Sequence, residues 1–125
     1  MQKELLERNI ILKLSVEFSL MIIAYCEELN GLNKYIISNQ LLRSATSIGA
    51  NAMEAQNAES KADFIHKLKI AAKEADETQY WLMLCEYSKK IPGTELLSLK
   101  LENIQKVLSK ILGTAKSKAP MSTTL

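Results

Sequence analysis

Residues 60–93 read SKADFIHKLKIAAKEADETQYWLMLCEYSKKIPG, and this stretch decides the fold. Phe64, Leu68, Ala71, Ala72, Ala75 and Leu82 recur at the spacing of one helix face, so the segment carries a stripe that must be buried. Ser60 and Asp63 form an S-x-x-D capping box, in which hydroxyl and carboxylate satisfy backbone N–H groups left open at a helix start. Pro92-Gly93 breaks the pattern at the other end. The spacing therefore predicts one long helix from Ser60 to about Lys90.

Working outward, the same punctuation divides the rest of the chain. Upstream, a helix is expected from near Ser38 to about Asn57. Before it, a helix over residues 3–30 should stop at Gly31, a residue suited to the left-handed position that follows a helix. Downstream, Thr94 is placed to cap a fourth helix ending near Gly113 or shortly after, with Leu97, Leu101, Ile104, Leu108 and Ile111 on one face. Four helices with short connections predict an all-α, antiparallel up-down four-helix bundle. Only 4 Gly and 2 Pro in 125 residues argue against a many-turned β fold. Residues 1–118 read as a single domain. Residues 119–125, APMSTTL, read as a flexible C-terminal tail.

The first helix is apolar on two sides. Ile11, Leu14, Phe18, Met21, Tyr25 and Leu29 form one stripe, and Leu5, Leu12, Val16 and Ile23 form another nearly opposite. A bundle core takes one stripe. The second implies either a neighbouring subunit or a broad buried face, and self-association is the favoured reading.

Charge points to a partner without naming it. The net charge of +2 is far from that of a dedicated nucleic-acid binder. Yet residues 89–125 carry seven basic and two acidic side chains, against nine and twelve before them. The basic tail reads as a contact for phosphate through Lys106, Lys110 and Lys116, or as a solvated face near a helix C-terminus. Lys69, Lys73, Tyr80 and Tyr87 share the outward face of the third helix, where lysine could grip phosphate and tyrosine stack on a base. Asp76 shares that face, and tyrosine serves protein interfaces equally well.

On the second helix, Arg43, Ser47, Asn51 and Glu54 form a polar wedge beside the apolar Leu41, Ala45, Ile48 and Ala52. Glu74, Glu77 and Trp81 border the core stripe of the third. Arg43 is one of two arginines, and its forked guanidinium suits a carboxylate such as Glu74, Glu77 or Glu54. These residues read as a structural polar network that sets helix register. Gly49 costs a helix about 1 kcal/mol relative to Ala, which points to close approach of another backbone.

Chemistry is mostly excluded. A di-iron centre needs two Glu-x-x-His pairs, and His66 is the only histidine. Cys26, Cys85 and His66 supply three zinc donors without motif spacing, so no metal site is expected. No nucleophile elbow, phosphate-cradling glycine loop or dinucleotide fingerprint is present. We expect no enzyme and no cofactor. Both cysteines sit among apolar residues, as buried thiols of a cytoplasmic protein do. The opening residues MQKELLER lack the apolar core of a signal peptide, and no apolar run is long enough to cross a membrane.

The run QLLRSATSIGANAMEAQNAESKADFIHKLKIAAKEADETQYWLMLCE, residues 40–86, resembles the bacterial four-helix-bundle family of 23S rRNA intervening-sequence proteins. The likeness rests on Arg43-Ser44, on Thr46-Ser47-Ile48-Gly49-Ala50-Asn51, and on Glu54-Ala55. It continues through Ser60, Asp63-Phe64-Ile65, Lys73-Glu74-Ala75, Glu77-Thr78 and Tyr80-Trp81-Leu82, and more weakly into the outer helices. Ala52-Met53 departs from the family, which usually places Ile there. The resemblance implies an antiparallel four-helix bundle and a ring-like homo-oligomer, a pentamer. A related branch comprises accessory proteins of diversity-generating retroelements, which look like pentameric barrels that bind nucleic acid and a reverse transcriptase. A role as a ribosomal component is not carried over. Together, residues and resemblance lead to a non-enzymatic ring binding RNA or DNA through repeated lysines. The alternative is a protein-interaction scaffold.

Overall fold

The computed structural model describes residue 4 and residues 9–124, with side chains as far as Lys116. Four helices follow in chain order: α1, Ile10–Gly31; α2, Tyr35–Ala55; α3, Lys61–Tyr87; and α4, Glu95–Thr124. Each packs on its neighbours in sequence, and α1 closes the circuit onto α4. Among the described residues the backbones of the diagonal pairs α1–α3 and α2–α4 stay apart, and α1 meets α3 through side chains such as Tyr25 and Cys85. This is the expected up-down bundle.

The predicted stripes meet at its axis. Phe18, Ile22 and Leu29 of α1, Leu41 and Ile48 of α2, Leu68 and Leu82 of α3, and Leu101, Ile104 and Leu108 of α4 are all essentially fully buried. Burial of each such side chain contributes about 1.5–3 kcal/mol. Small residues let the helices come close: Ala45, Ala52, Ala71 and Ala75 are buried with them.

Helix boundaries follow the caps, with corrections. At α3 the box forms: Ser60 Oγ accepts from Asp63 N at 3.0 Å, while the Asp63 carboxylate accepts from Glu59 N at 3.1 Å. The expected start at residue 3 is corrected to Ile10. Asn9 has extended backbone (φ −122°, ψ 101°), and its side chain accepts from Leu12 N. Residues 5–8, including Leu5, lie outside the described residues.

Gly31 does end α1, but Asn33 (φ 60°) takes the left-handed turn, and no described glycine has positive φ. Asn tolerates that conformation better than most residues. Helix α2 starts three residues earlier than expected. Ser38 is not its cap: its hydroxyl donates to Cys26 O at 3.3 Å, and the Cys26 thiol donates back to Ser38 O at 3.4 Å. A buried hydroxyl bonded across to α1 has displaced the local cap.

The backbone of α4 continues past Gly113 to Thr124, because one glycine costs a helix about 1 kcal/mol and compels no stop. The side chains of the proposed tail lie outside the described residues. The α3–α4 connection is tied back to α1, where Tyr25 donates its hydroxyl to Pro92 O at 2.9 Å.

The two-sided reading of α1 holds in part. Leu12 is buried and belongs to the bundle, whereas Val16, Leu20 and Ile23 are each at least 40% exposed. Among the described residues no helix is long and apolar enough to cross a membrane.

Candidate functional site

The polar wedge of α2 forms three separate sets of contacts. In the first, Arg43 reaches across to α3, where its Nη1 lies 3.3 Å from Glu74 Oε2 and its Nη2 pairs with Glu77. Trp81 Nε1 donates to the same Glu77 carboxylate at 2.9 Å, and Gln40 accepts from Arg43 Nε. Below this exposed cluster, Thr78 donates to Ser44 Oγ at 2.9 Å, with both side chains buried. Sequence reading missed this pair. Its signal was a hydroxyl at a core position of each helix.

The second set is local. Asn51 donates to Ser47 O and Ser47 Oγ, at 2.9 and 3.1 Å, within α2. In the third, Glu54 pairs with Lys67 at 2.9 Å, which raises the lysine's pKa. Of the three carboxylates that suited Arg43, Glu74 and Glu77 engage it, while Glu54 lies three turns further along the same helix and pairs with Lys67 instead. The Arg43 and Glu54 contacts lie toward the outside of the α2–α3 seam, the Ser44–Thr78 pair is buried within it, and the Asn51 bonds stay inside α2. Among the described residues, the polar groups of this wedge are thus engaged with one another or with backbone.

The lysines divide by partner. Lys106 bonds Glu102 one turn before it at 3.3 Å, and Lys100 lies 4.0 Å from Glu17 of α1. Lys69 and Lys73 are exposed on α3 with no ion-pair partner among the described residues, and so are Lys110 and Lys116 on α4. The α3 pair shares its face with Tyr80 and Tyr87, which are exposed too. Tyr80 stacks edge-on against Trp81, with ring centroids 5.3 Å apart. Asp76, on the same face, accepts from Gln105 of α4, as does Gln79. Lys106, placed among the phosphate-gripping residues from sequence, is thus partly screened by its own helix.

Two of the surface grooves have largely apolar linings. One, of about 340 Å³, runs between α1 and α2 and is lined by Leu12, Ser15, Val16, Leu20, Gly49 and Met53, among others. Gly49 is where the helices touch: a Cβ placed there would stand 3.0 Å from Ser15 Cβ. The close approach expected at this glycine is therefore present, with α1 as the neighbour. Ser15 Oγ is buried there without a hydrogen-bond partner. The second groove, about 380 Å³, lies between the start of α3 and α4, where Lys61 and Lys110 flank Phe64 and Ile111.

The cysteines form a closed interior group. Both are free and buried. Burial pushes both thiols up from their ordinary value. Tyr25 is raised for the same reason, reinforced by Cys85 beside it. Such thiols are inert at neutral pH, and the group serves packing. His66 is exposed, and the described residues hold no cluster of three or more metal-ligating side chains.

Comparison with known proteins agrees with this architecture. A crystal structure at 1.70 Å of a protein with unknown function, from the S23 ribosomal protein family of Bacteroides thetaiotaomicron, matches with a TM-score of 0.78. Sequence identity is 42%, covering 82% of this chain and 97% of that one. Among curated proteins, none matches the chain. The 23S rRNA-intervening sequence protein family matches residues 7–112, which takes in α1, α2, α3 and the first part of α4. With the bundle, its α2–α3 seam and this match in agreement, the chain belongs to the family of 23S rRNA-intervening sequence proteins.

Proposed function

We propose that the chain acts as a non-enzymatic, oligomeric four-helix bundle that binds RNA or DNA through lysines repeated around a ring. The observation that carries this reading is that Lys69, Lys73, Lys110 and Lys116, four of the lysines singled out from sequence, are exposed with no acidic partner among the described residues. One copy of so few cations binds a polyanion weakly. Copies arranged about an axis bind together, since each contact after the first is intramolecular. The exposed Val16, Leu20 and Ile23 supply an apolar face for such assembly, the pentamer that the family resemblance implies. A filter-binding titration across salt concentrations tests the reading. Affinity should fall steeply as salt rises. Affinity that is flat across salt, or no binding at micromolar protein, rejects it.

A second reading, an interaction scaffold for a protein partner, is favoured by the exposed Tyr80 and Tyr87 on α3. Capture from nuclease-treated lysate separates the two. A partner retained after nuclease digestion supports the scaffold, and a partner that disappears with the nucleic acid supports direct binding.

A further inference from the structure

The groove between α3 and α4 combines features that no other described groove shares. Its lining is Lys61, Phe64, Lys110, Ile111, Thr114 and Ala115. Two of these are cations and none is a carboxylate. Neither Lys61 nor Lys110 has an ion-pair partner among the described residues, and both are exposed. Between them lies an apolar surface that includes one aromatic ring, that of Phe64, which is only half-buried. The volume of about 380 Å³ falls in the roughly 300–1,000 Å³ range of small-ligand sites. The α1–α2 groove, by contrast, is lined without a charged residue.

A flat apolar body bearing negative charge on its flanks satisfies both parts of this lining. An unpaired nucleotide within a strand has that chemistry: an exposed base face with a phosphate on either side. A duplex does not offer it, because its base faces are already stacked and only its backbone is open to such a surface. Resting on the nucleic-acid reading above, we propose that this groove seats one unpaired base of a single strand. Phe64 and Ile111 contact the base, and Lys61 and Lys110 contact the neighbouring phosphates. The chain then prefers single-stranded RNA or DNA to a duplex. It does so without base sequence preference, since every base has a π face. Phe64 packs against the bundle core as its stripe predicted, with part of the ring left open to this groove, and sequence reading gave Lys61 no role. Only packing of α3 against α4 brings them beside Lys110.

The test is fluorescence anisotropy of the full chain with a labelled oligothymidine and with a duplex of equal length, each over a range of potassium chloride. Phe64→Leu keeps the apolar bulk and removes the ring. It should weaken single-strand binding by about fivefold or more and leave the salt slope unchanged. Lys61→Ala with Lys110→Ala should lower the slope by about 0.7 for each phosphate that is no longer neutralised. Duplex affinity should not respond to Phe64→Leu.

Equal affinity for the two forms, or an unaltered single-strand affinity in Phe64→Leu, overturns the proposal. Should the wild-type chain bind with a salt slope that only Lys69→Ala and Lys73→Ala reduce, lysine-mediated binding stands and the groove is rejected. Absence of binding by the wild-type chain removes both. Photocrosslinking of the unaltered protein to an iodouridine-substituted strand bypasses any folding defect of the variants. Adducts on Phe64 support the seat, and adducts confined to Tyr80 or Tyr87 refute it.

Discussion

Helix α2 meets two neighbours in opposite ways. Toward α3 it presents Arg43, Ser44 and Glu54, and each finds a partner: Glu74 and Glu77, Thr78, and Lys67. Toward α1, beyond the Ser38–Cys26 pair near its start, it presents Thr46, Gly49, Ala50 and Met53 along an apolar groove. Even the Thr46 hydroxyl donates to Leu42 O of its own helix, at 2.7 Å, and adds no polar partner to that side. The polar flank aligns two helices by directional bonds. The apolar flank brings two backbones together at one glycine and leaves Val16, Leu20 and Met53 uncovered on either side. One helix thus has two unlike sides: one bonds to its neighbour by polar contacts, and the other leaves apolar surface uncovered.

Breaking the apolar flank has the largest expected consequence. Val16→Asp with Leu20→Asp places charge on the uncovered face. Light scattering should report an assembly for the wild type and a folded 14.0 kDa particle for the variant, with helical circular dichroism retained. Equal masses for the two proteins would remove this face from assembly. Next, Gly49→Val drives a branched side chain into Ser15 Cβ, where even a bare Cβ stands at 3.0 Å. Overpacking of this kind costs about 1–3 kcal/mol, and urea denaturation should place the loss at the upper end.

The polar flank is weaker per contact. Thr78→Val removes a buried hydroxyl and leaves Ser44 Oγ only its bond to Leu41 O, at a cost of about 1 kcal/mol. A double-mutant cycle with Ser44→Ala should show the two losses to be coupled rather than additive. Ser15→Ala sharpens the contrast by its opposite sign. It deletes an orphaned buried hydroxyl, so thermal unfolding should show a gain of up to about 1 kcal/mol. Arg43→Ala comes last. Its side chain is 51% exposed, so solvent screening limits the pair to about 0.2–1 kcal/mol, and the difference should fade in high salt.

Much of this architecture was legible residue by residue. The stripe from Phe64 to Leu82 and the Ser60–Asp63 box predicted α3 because both act within a few residues of chain. Gly49 was legible as a close-approach site for the same reason: a glycine inside a helix is costly and needs an explanation. The start of α2 was placed near Ser38, three residues late, and the bond of the Ser38 hydroxyl to a carbonyl on α1 was not legible. Of the three carboxylates that suited Arg43, Glu74 and Glu77 take it and Glu54 pairs with Lys67 of α3, a choice the wheel alone left open. In the candidate site, the outward positions of Lys69, Lys73, Lys110 and Lys116 were legible. Their lack of partners was not, nor was the screening of Lys106 by Glu102.

What the amino-acid order determined alone is the number of helices, the faces they bury and the surplus of apolar surface on α1. Each follows from periodicity and capping, which depend on neighbours three or four positions away. Tertiary packing decided which polar groups meet, which lysines stay unpaired, and that Phe64 lies in one groove with Lys61 and Lys110. Those outcomes turn on distances between helices of a few ångströms. Such distances are set by the collective packing of all four helices, and no local pattern encodes them.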